Sequence, residues 1–120
     1  MSKCIMVVDD EPVASEIAKR KLEEAGYEVL VAHNGVVAFN MLKARIPDLI
    51  LLDVEMPVMN GYTFIMDKSK VPEYKAVPVI VLTAHNEMEP LFKRHGVKSY
   101  LVKPLKLQEL LDKVKLVLGE

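Results

Sequence analysis

The stretch Leu49-Ile50-Leu51-Leu52-Asp53 decides the fold, because four aliphatic residues lead directly into a carboxylate. Pro47 precedes this run, and Pro57 and Gly61 follow it. A short apolar run between such breakers is typical of a strand that is buried on both faces of a sheet. Asp53 would then lie where the strand leaves the core. Ligands of open α/β sheets bind at the carboxyl ends of the strands, so Asp53 is a candidate for chemistry.

The rest of the chain alternates between apolar runs and amphipathic segments with helical spacing. A polar segment at 70–75, which contains Pro72, is predicted to be a surface loop. Strict alternation favours a parallel sheet with right-handed crossovers, so we predict an α/β fold with a doubly wound five-stranded sheet of order 2-1-3-4-5, flavodoxin-like in type. The five strands are expected over residues 4–8, 27–32, 49–53, 77–82 and 99–102, and the five helices from near residues 12, 35, 61, 90 and 107.

Length and composition limit what the chain can be. It has 120 residues, 51% of them hydrophobic, which suits one domain spanning 1–120. The net charge of -1, from 16 basic and 17 acidic residues, gives no general attraction to nucleic acid or to a membrane surface. No apolar run is long enough to span a bilayer and no signal peptide opens the chain, so we expect a cytoplasmic location. Cys4, the single cysteine, lies in an apolar run and is expected to be a buried core residue.

Acidic residues follow the first and third predicted strands, which are neighbours in the 2-1-3-4-5 order. Asp9, Asp10 and Asp53 should therefore meet at one sheet edge. Two carboxylates about 4 Å apart repel by about 4 kcal/mol at an effective dielectric of roughly 20, so either their pKa values rise or a cation joins them. Oxygen ligands favour a hard ion, Mg²⁺ or alternatively Mn²⁺. We expect Asp10 and Asp53 as direct ligands, Asp9 through water, and the main-chain carbonyl of Glu55.

Hydrogen-bond donors at the ends of the fourth and fifth strands indicate that the site binds more than a metal ion. Thr83 and Lys103 are expected on the same edge as the acids, and a site for a metal alone would not need them. A phosphoryl group would, since carboxylates can act as nucleophiles toward phosphorus and positioning with charge neutralisation supplies most of the catalysis. We expect Asp53 to attack, Mg²⁺ to neutralise two phosphoryl oxygens and Lys103 a third. Thr83 and the Ala84 amide would bind what remains.

Five motifs occur in a specific order: Val8-Asp9-Asp10-Glu11-Pro12, Pro47-Asp48-Leu49-Ile50-Leu51-Leu52-Asp53, Met56-Pro57-Val58-Met59-Asn60-Gly61, Pro78-Val79-Ile80 with Leu82-Thr83-Ala84, and Tyr100-Leu101-Val102-Lys103-Pro104. Through them the chain resembles the response-regulator receiver domains of two-component signalling, along essentially its whole length. The resemblance implies that Asp53 takes a phosphoryl group from a histidine kinase or a phosphotransfer protein of a phosphorelay. It further implies a signalling phosphoacceptor that promotes its own phosphorylation and dephosphorylation, not a conventional enzyme.

The resemblance also implies a switch. Lys103-Pro104 is expected to be a cis peptide, and Thr83 and Tyr100 the switch pair. A phosphoryl group on Asp53 adds about -1.5 to -2 charges, which would draw in the Thr83 hydroxyl and vacate space for Tyr100. The changed surface, around the fourth helix, the fifth strand and the last helix, would bind a downstream protein or an output domain outside this chain. A phosphorylation-dependent dimer is a further expectation.

The chain departs from the family between Thr83 and Lys103. This interval is a couple of residues shorter than expected, Pro90 lies within it, and Val97 replaces the usual alanine. We therefore expect the fourth helix, predicted around 90–95, to be short, displaced or mobile. Glu55 and His85 occupy positions that, by the resemblance, tune the lifetime of the phosphorylated state.

Each residue alone has an ordinary explanation, and three other functions compete with that of a receiver. Asp9 and Asp10 could cap the first helix, and Thr83 the fourth; the three histidines are expected to be surface residues. A phosphatase of the haloacid-dehalogenase class would need an Asp-x-Asp motif on the first strand and a covering domain. An FMN carrier would need a phosphate-binding loop where the acids lie. A receiver used only for protein binding would not need Asp10, Asp53, Thr83 and Lys103 together.

Overall fold

The computed structural model describes residues 2–54, 61–84 and 94–120. Its strands are β1 (Cys4–Val8), β2 (Glu28–Ala32), β3 (Leu49–Asp53), β4 (Val79–Thr83) and β5 (Val97–Val102). Its helices, numbered within the described ranges, are α1 (Pro12–Glu24), α2 (Gly35–Ala44), α3 (Gly61–Ser69), α4 (Pro72–Lys75) and α5 (Leu107–Leu118). Each of these helices is too short or too polar to cross a membrane.

The five strands form one parallel sheet in the order β2-β1-β3-β4-β5, which confirms the predicted topology. Val8 of β1 pairs with Leu52 of β3, and Asp53 pairs with Leu82 of β4. The carboxyl ends of β1, β3 and β4 therefore lie side by side. The switch point between β1 and β3 lies at this edge, as expected for the doubly wound order.

Both faces of the sheet are covered. All five residues of β1, β3 and β4 are buried, which explains why their sequences do not alternate with polar residues. Successive side chains point to opposite faces, so Met6 belongs to one core cluster and Val7 to the other. Cys4 is buried as expected, and burial raises the pKa of its thiol, as is usual for an inert core cysteine.

Local sequence signals account for most helix ends. The Asn34 side chain caps α2 by accepting a hydrogen bond of 2.9 Å from the Val37 amide. Pro12 begins α1, and Gly26, just beyond its end, has a φ of 99°. The start of α1 agrees with the helix predicted from near residue 12. The sequence also favours Asn60 as the cap of α3, but this residue lies outside the described residues.

Three features of the second half of the chain either differ from the prediction or lie outside the described residues. The expected loop at 70–75 contains the short helix α4, in which Pro72 occupies the first turn and the Lys75 amide donates to the Val71 carbonyl at 2.9 Å. Strand β5 begins at Val97 because that residue pairs with Val79. Most of the helix expected around 90–95 lies outside the described residues.

A fully buried lysine lies where α3 meets α4. Lys68 has no exposed surface, and its Nζ donates to the Lys75 carbonyl at 3.2 Å. This carbonyl is the only hydrogen-bond partner of the Lys68 ammonium among the residues that the structure describes. Burial lowers the pKa of Lys68 to about 8, because desolvation disfavours the charged form. The lysine joins the two helices but makes the folded state sensitive to pH.

Replacing Lys68 with Met should remove this pH dependence. Between pH 8 and 10.5 the unfolded chain binds more protons at Lys68 than the folded chain, so the free energy of unfolding of the wild type should rise with pH. The full effect should be on the order of 1 to 3 kcal/mol. Urea denaturation at pH 8 and at about pH 9.5 measures most of it. Lys115→Met, at an exposed position of α5, should keep the rise; an equal rise in Lys68→Met would contradict the assignment.

The first residue of α3 is packed against the end of β3. The Gly61 amide donates to the Val54 carbonyl at 3.3 Å. A Cβ at Gly61 would lie 2.5 Å from the Val54 Cα and 2.8 Å from its Cβ, closer than real atoms approach. Glycine is therefore required here by the close approach of two segments. Because Val54 follows Asp53, this contact also fixes the backbone at the end of β3.

Gly61→Ala should reduce the free energy of unfolding by about 1 to 3 kcal/mol, since the overlap must push α3 away from β3. It should also shift the amide resonances of Asp53 and Val54. Gly26→Ala is the matched control, because that glycine has a positive φ but open space around it. The control should lose stability through backbone strain and leave both resonances in place. If Gly61→Ala left the Asp53 and Val54 resonances unchanged, the contact would not position the end of β3.

Candidate functional site

Three carboxylates converge at the carboxyl edge of the sheet. Asp9 and Asp10 follow β1, and Asp53 is the last residue of β3. Ligand oxygens from all three lie within 4.8 Å of one another. Asp9 is 5% exposed, Asp53 is 2% exposed and Asp10 is half-buried. The structure thus brings together the three acids that the strand order was expected to place side by side.

Hydrogen bonds to main-chain groups hold both the amide and the carboxylate of Asp9. Its amide donates to the Ala32 carbonyl at 3.0 Å, and the Glu11 amide donates to its Oδ1 at 2.9 Å. Its carbonyl oxygen lies 3.2 Å from Nδ1 of His33, an exposed residue as expected. Burial raises the pKa of the Asp9 carboxyl; the Glu11 N–H opposes this shift and the charge of Asp53 adds to it. Negative charge is therefore unfavourable here without a compensating cation.

Lys103 provides one such compensating charge. Its Nζ lies 3.0 Å from Oδ1 and 3.1 Å from Oδ2 of Asp53, so the ammonium binds both carboxylate oxygens. The Lys103 side chain is 36% exposed, whereas Asp53 is buried. The Lys103 amide donates to the Thr83 carbonyl at 2.9 Å and continues the pairing of β4 with β5. The Lys103-Pro104 peptide is cis, as the sequence resemblance implied.

The donor set fits a hard divalent cation. The cluster consists of carboxylates, and neither histidine nor cysteine joins it in the described ranges. Within residues 2–54, 61–84 and 94–120, Lys103 is the one residue that forms a salt bridge with an acid of the cluster, and it does so with Asp53, so a further cation would be favourable beside the three carboxylates. Oxygen ligands of this kind are those that Mg²⁺ prefers. Glu55 and His85, also expected near the site, lie outside the described residues.

The expected phosphoryl-binding and switch residues lie on the neighbouring strands. Thr83, the last residue of β4, is 6% exposed, and Ala84 follows it at the surface. Leu82 pairs with Asp53, so Thr83 lies one residue farther toward the carboxyl edge. Tyr100 of β5 pairs with Val81 and is half-buried. The order of the strands alone brings these residues to one side of the site.

One neighbour of Tyr100 was not found from the sequence. Nζ of Lys113, on α5, lies 5.8 Å from the centre of the Tyr100 ring and donates to the Ser99 hydroxyl at 3.1 Å. A cation near an aromatic ring is attracted by the charge distribution of the ring. Helical spacing places Lys113 beside the apolar stripe of α5, but it does not say which strand residue the side chain meets.

Comparison with known proteins agrees with this geometry. The family model described as "Response regulator receiver domain" matches residues 5–115. Protein PilH of Pseudomonas aeruginosa is 34% identical over 117 residues, which cover 96% of this chain and 97% of PilH. The chemotaxis response regulator CheY4 of Vibrio cholerae superposes with a TM-score of 0.92 at 30% identity, over 98% of this chain and 99% of that structure.

A third relative bears on the metal. The receiver domain of the sensor histidine kinase PA1611 of Pseudomonas aeruginosa has a magnesium ion coordinated in its active site cleft; it is 28% identical, with a TM-score of 0.86 and complete coverage of both chains. Receiver domains are signalling proteins of two-component systems that interact with histidine kinases and downstream targets, and they bind Mg²⁺ at an acidic site. The match over most of its length shows that this chain belongs to the response regulator receiver domain family.

Proposed function

We propose that this chain is a phosphoacceptor switch, in which Asp53 takes a phosphoryl group from the phosphohistidine of a kinase or phosphotransfer protein. The observation that carries the proposal is the contact of the Lys103 ammonium with both oxygens of a buried carboxylate, beside two further acids. An ion pair that only stabilised the fold would not need the additional uncompensated carboxylates. A site for phosphoryl transfer needs all of them.

The transfer is a nucleophilic displacement at phosphorus. One Asp53 oxygen forms the new bond to phosphorus, the bond from phosphorus to the histidine nitrogen breaks, and the imidazole keeps its electron pair. The half-exposed Lys103 side chain can follow the phosphoryl group while it stays near Asp53, so it offsets charge in both states. The low exposure of Asp53 favours such electrostatic stabilisation because little water competes with it.

The acidic cluster would hold Mg²⁺, or alternatively Mn²⁺. Asp10 and Asp53 are the proposed direct ligands, and Asp9 would bind through water; its Oδ1 accepts a hydrogen bond from the Glu11 amide. The Glu55 carbonyl remains a proposed ligand. When bound, the ion would neutralise part of the charge on the phosphoryl oxygens.

The switch would connect Asp53 to β5 and α5. A phosphoryl group would recruit the Thr83 hydroxyl and the Ala84 amide, and Tyr100 would then turn toward the space that Thr83 leaves. Tyr100 lies against Lys113, so its movement would alter the surface shared by β5 and α5. We place the downstream target, or a second copy of the chain, on that surface. Glu55 and His85 would tune the lifetime of the phosphorylated state.

The phosphodonor would approach along α1. Val13 is 71% exposed and Ile17 is 47% exposed, and both lie on the helix that begins directly after Asp10 and Glu11. Exposed aliphatic side chains next to a buried nucleophile favour a protein donor that contacts this helix while its histidine reaches Asp53.

Phosphorylation is tested by intact-protein mass spectrometry after incubation with phosphoramidate and Mg²⁺. The wild type should gain one phosphate-mass adduct, because the buried carboxylate is the expected nucleophile. Asp53→Asn should gain none, and replacement of Mg²⁺ by EDTA should prevent the adduct in the wild type. Asp112→Asn, which changes an exposed acid of α5, should be phosphorylated normally. An adduct that persists in Asp53→Asn would place the reaction elsewhere, and its absence from the wild type would favour a binding-only receiver.

Lys103→Ala should separate phosphorylation from the switch, because the ammonium that links the phosphoryl group to the end of β5 is lost. The adduct should still form, more slowly, while the amide resonances of Thr83 and Tyr100 should shift less on phosphorylation than in the wild type. Lys106→Ala, at a nearby exposed lysine, is the control and should respond normally. Resonance shifts in Lys103→Ala equal to those of the wild type would show that Lys103 does not couple the two events.

A further inference from the structure

A cavity of about 330 Å³ lies between α1 and the segment after β5, below the acidic cluster. Its floor is apolar, formed by Val7 of β1, Leu51 of β3 and Leu82 of β4, each at most 5% exposed. Small-molecule sites typically have volumes of roughly 300 to 1,000 Å³ and mostly apolar walls. The cavity is therefore large enough for one ring with a short chain.

Small residues of α1 create this space. Ala14 and Ala18 both line the cavity, one turn apart on the same helix. Ala18 is buried, whereas Ala14 is exposed and lies at the entrance. A larger side chain at Ala14 would extend into the cavity, and it could do so without disturbing the core.

The mouth of the cavity is acidic. Asp9, Glu11 and Asp53 line it together with Lys103. The Lys103 ammonium is bound to Asp53, and neither Asp9 nor Glu11 forms a salt bridge with another residue of the described ranges. In the part of the chain that the structure describes, the Asp9 carboxylate accepts one hydrogen bond, from the Glu11 amide to Oδ1. The negative charge at the mouth therefore exceeds the positive charge.

We propose that this cavity binds a small amphiphilic cation, with its apolar body on the Val7, Leu51 and Leu82 floor and a primary ammonium or amidinium group between Asp9 and Glu11. A neutral apolar ligand would cover these carboxylates without pairing them, which is unfavourable. An anionic ligand would meet them with like charge. A cation with an apolar body would pack on the apolar floor and pair its charge with the carboxylates at the mouth.

Such a ligand would regulate the site above it. Its charged group would lie at Asp9, within the cluster that is proposed to hold Mg²⁺, so the two cations should compete. This consequence rests on the proposed function, whereas binding of the ligand to the cavity does not. Occupation of the cavity would slow the phosphorylation of Asp53 by displacing the metal.

Calorimetric titration with 2-phenylethylammonium in metal-free buffer tests the binding. The wild type should bind one equivalent saturably, and the ligand should shift the amide resonances of Val7 and Leu82. 2-Phenylethanol, which has the same ring and linker but no charge, should bind at least about tenfold more weakly. Ala14→Leu should weaken amine binding by about tenfold or more, while Ala25→Leu, an exposed alanine just beyond α1, should bind as the wild type does.

The proposal would be overturned by no saturable binding, by equal binding of the alcohol, or by unchanged binding in Ala14→Leu with a normal fold by circular dichroism. Adding Mg²⁺ should raise the apparent dissociation constant of the amine linearly with the free Mg²⁺ concentration. Binding of both cations without competition would overturn the position of the ammonium group. If Mg²⁺ did not bind at all, the proposed function would fail, and the metal-free titration would still decide the cavity.

Discussion

The contact between Lys103 and Asp53 is the interaction on which the rest of the site depends. Asp53 is 2% exposed, and removing a carboxylate from water is costly unless a counter-charge and hydrogen bonds replace its hydration. Lys103 supplies both from the residue after β5, and its position is fixed because its amide bonds to the Thr83 carbonyl. The pair crosses from β3 past β4 to β5. Any group that binds Asp53 must therefore share the lysine with it, and this links an event at one strand to the far edge of the sheet.

The twofold repeat of a strand explains why an apolar cavity and an acidic cluster adjoin. Side chains two residues apart point to the same face, so Asp9 follows Val7 and Asp53 follows Leu51 on the face covered by α1 and α5. The same register that buries the aliphatic residues places the acids one step above them. Polar chemistry at the edge and apolar space below it are thus two results of one pattern.

Much of this structure could be predicted from the sequence, for physical reasons. Buried parallel strands leave uninterrupted aliphatic runs, and the order 2-1-3-4-5 then determines which strand ends meet, so the meeting of Asp9, Asp10 and Asp53 followed. Features that depend on particular side-chain packing could not be predicted. Lys68 looks like an ordinary surface lysine in the sequence, and Pro72 favours a loop as much as a first helical turn. The cavity exists because Ala14 and Ala18 have small side chains. The roles of Glu55 and His85 stay predictions.

Because Lys68 is buried, the reactivity of its amine can show when the contact between α3 and α4 opens. Amine-reactive reagents can modify Nζ only when the contact with the Lys75 carbonyl opens, because the side chain has no exposed surface in the closed state. When opening and closing are fast, the modification rate relative to that of an exposed lysine gives the free energy of this local opening. Lys68 is thus a built-in chemical probe of local unfolding in the second half of the chain, far in sequence from the acids that follow β1.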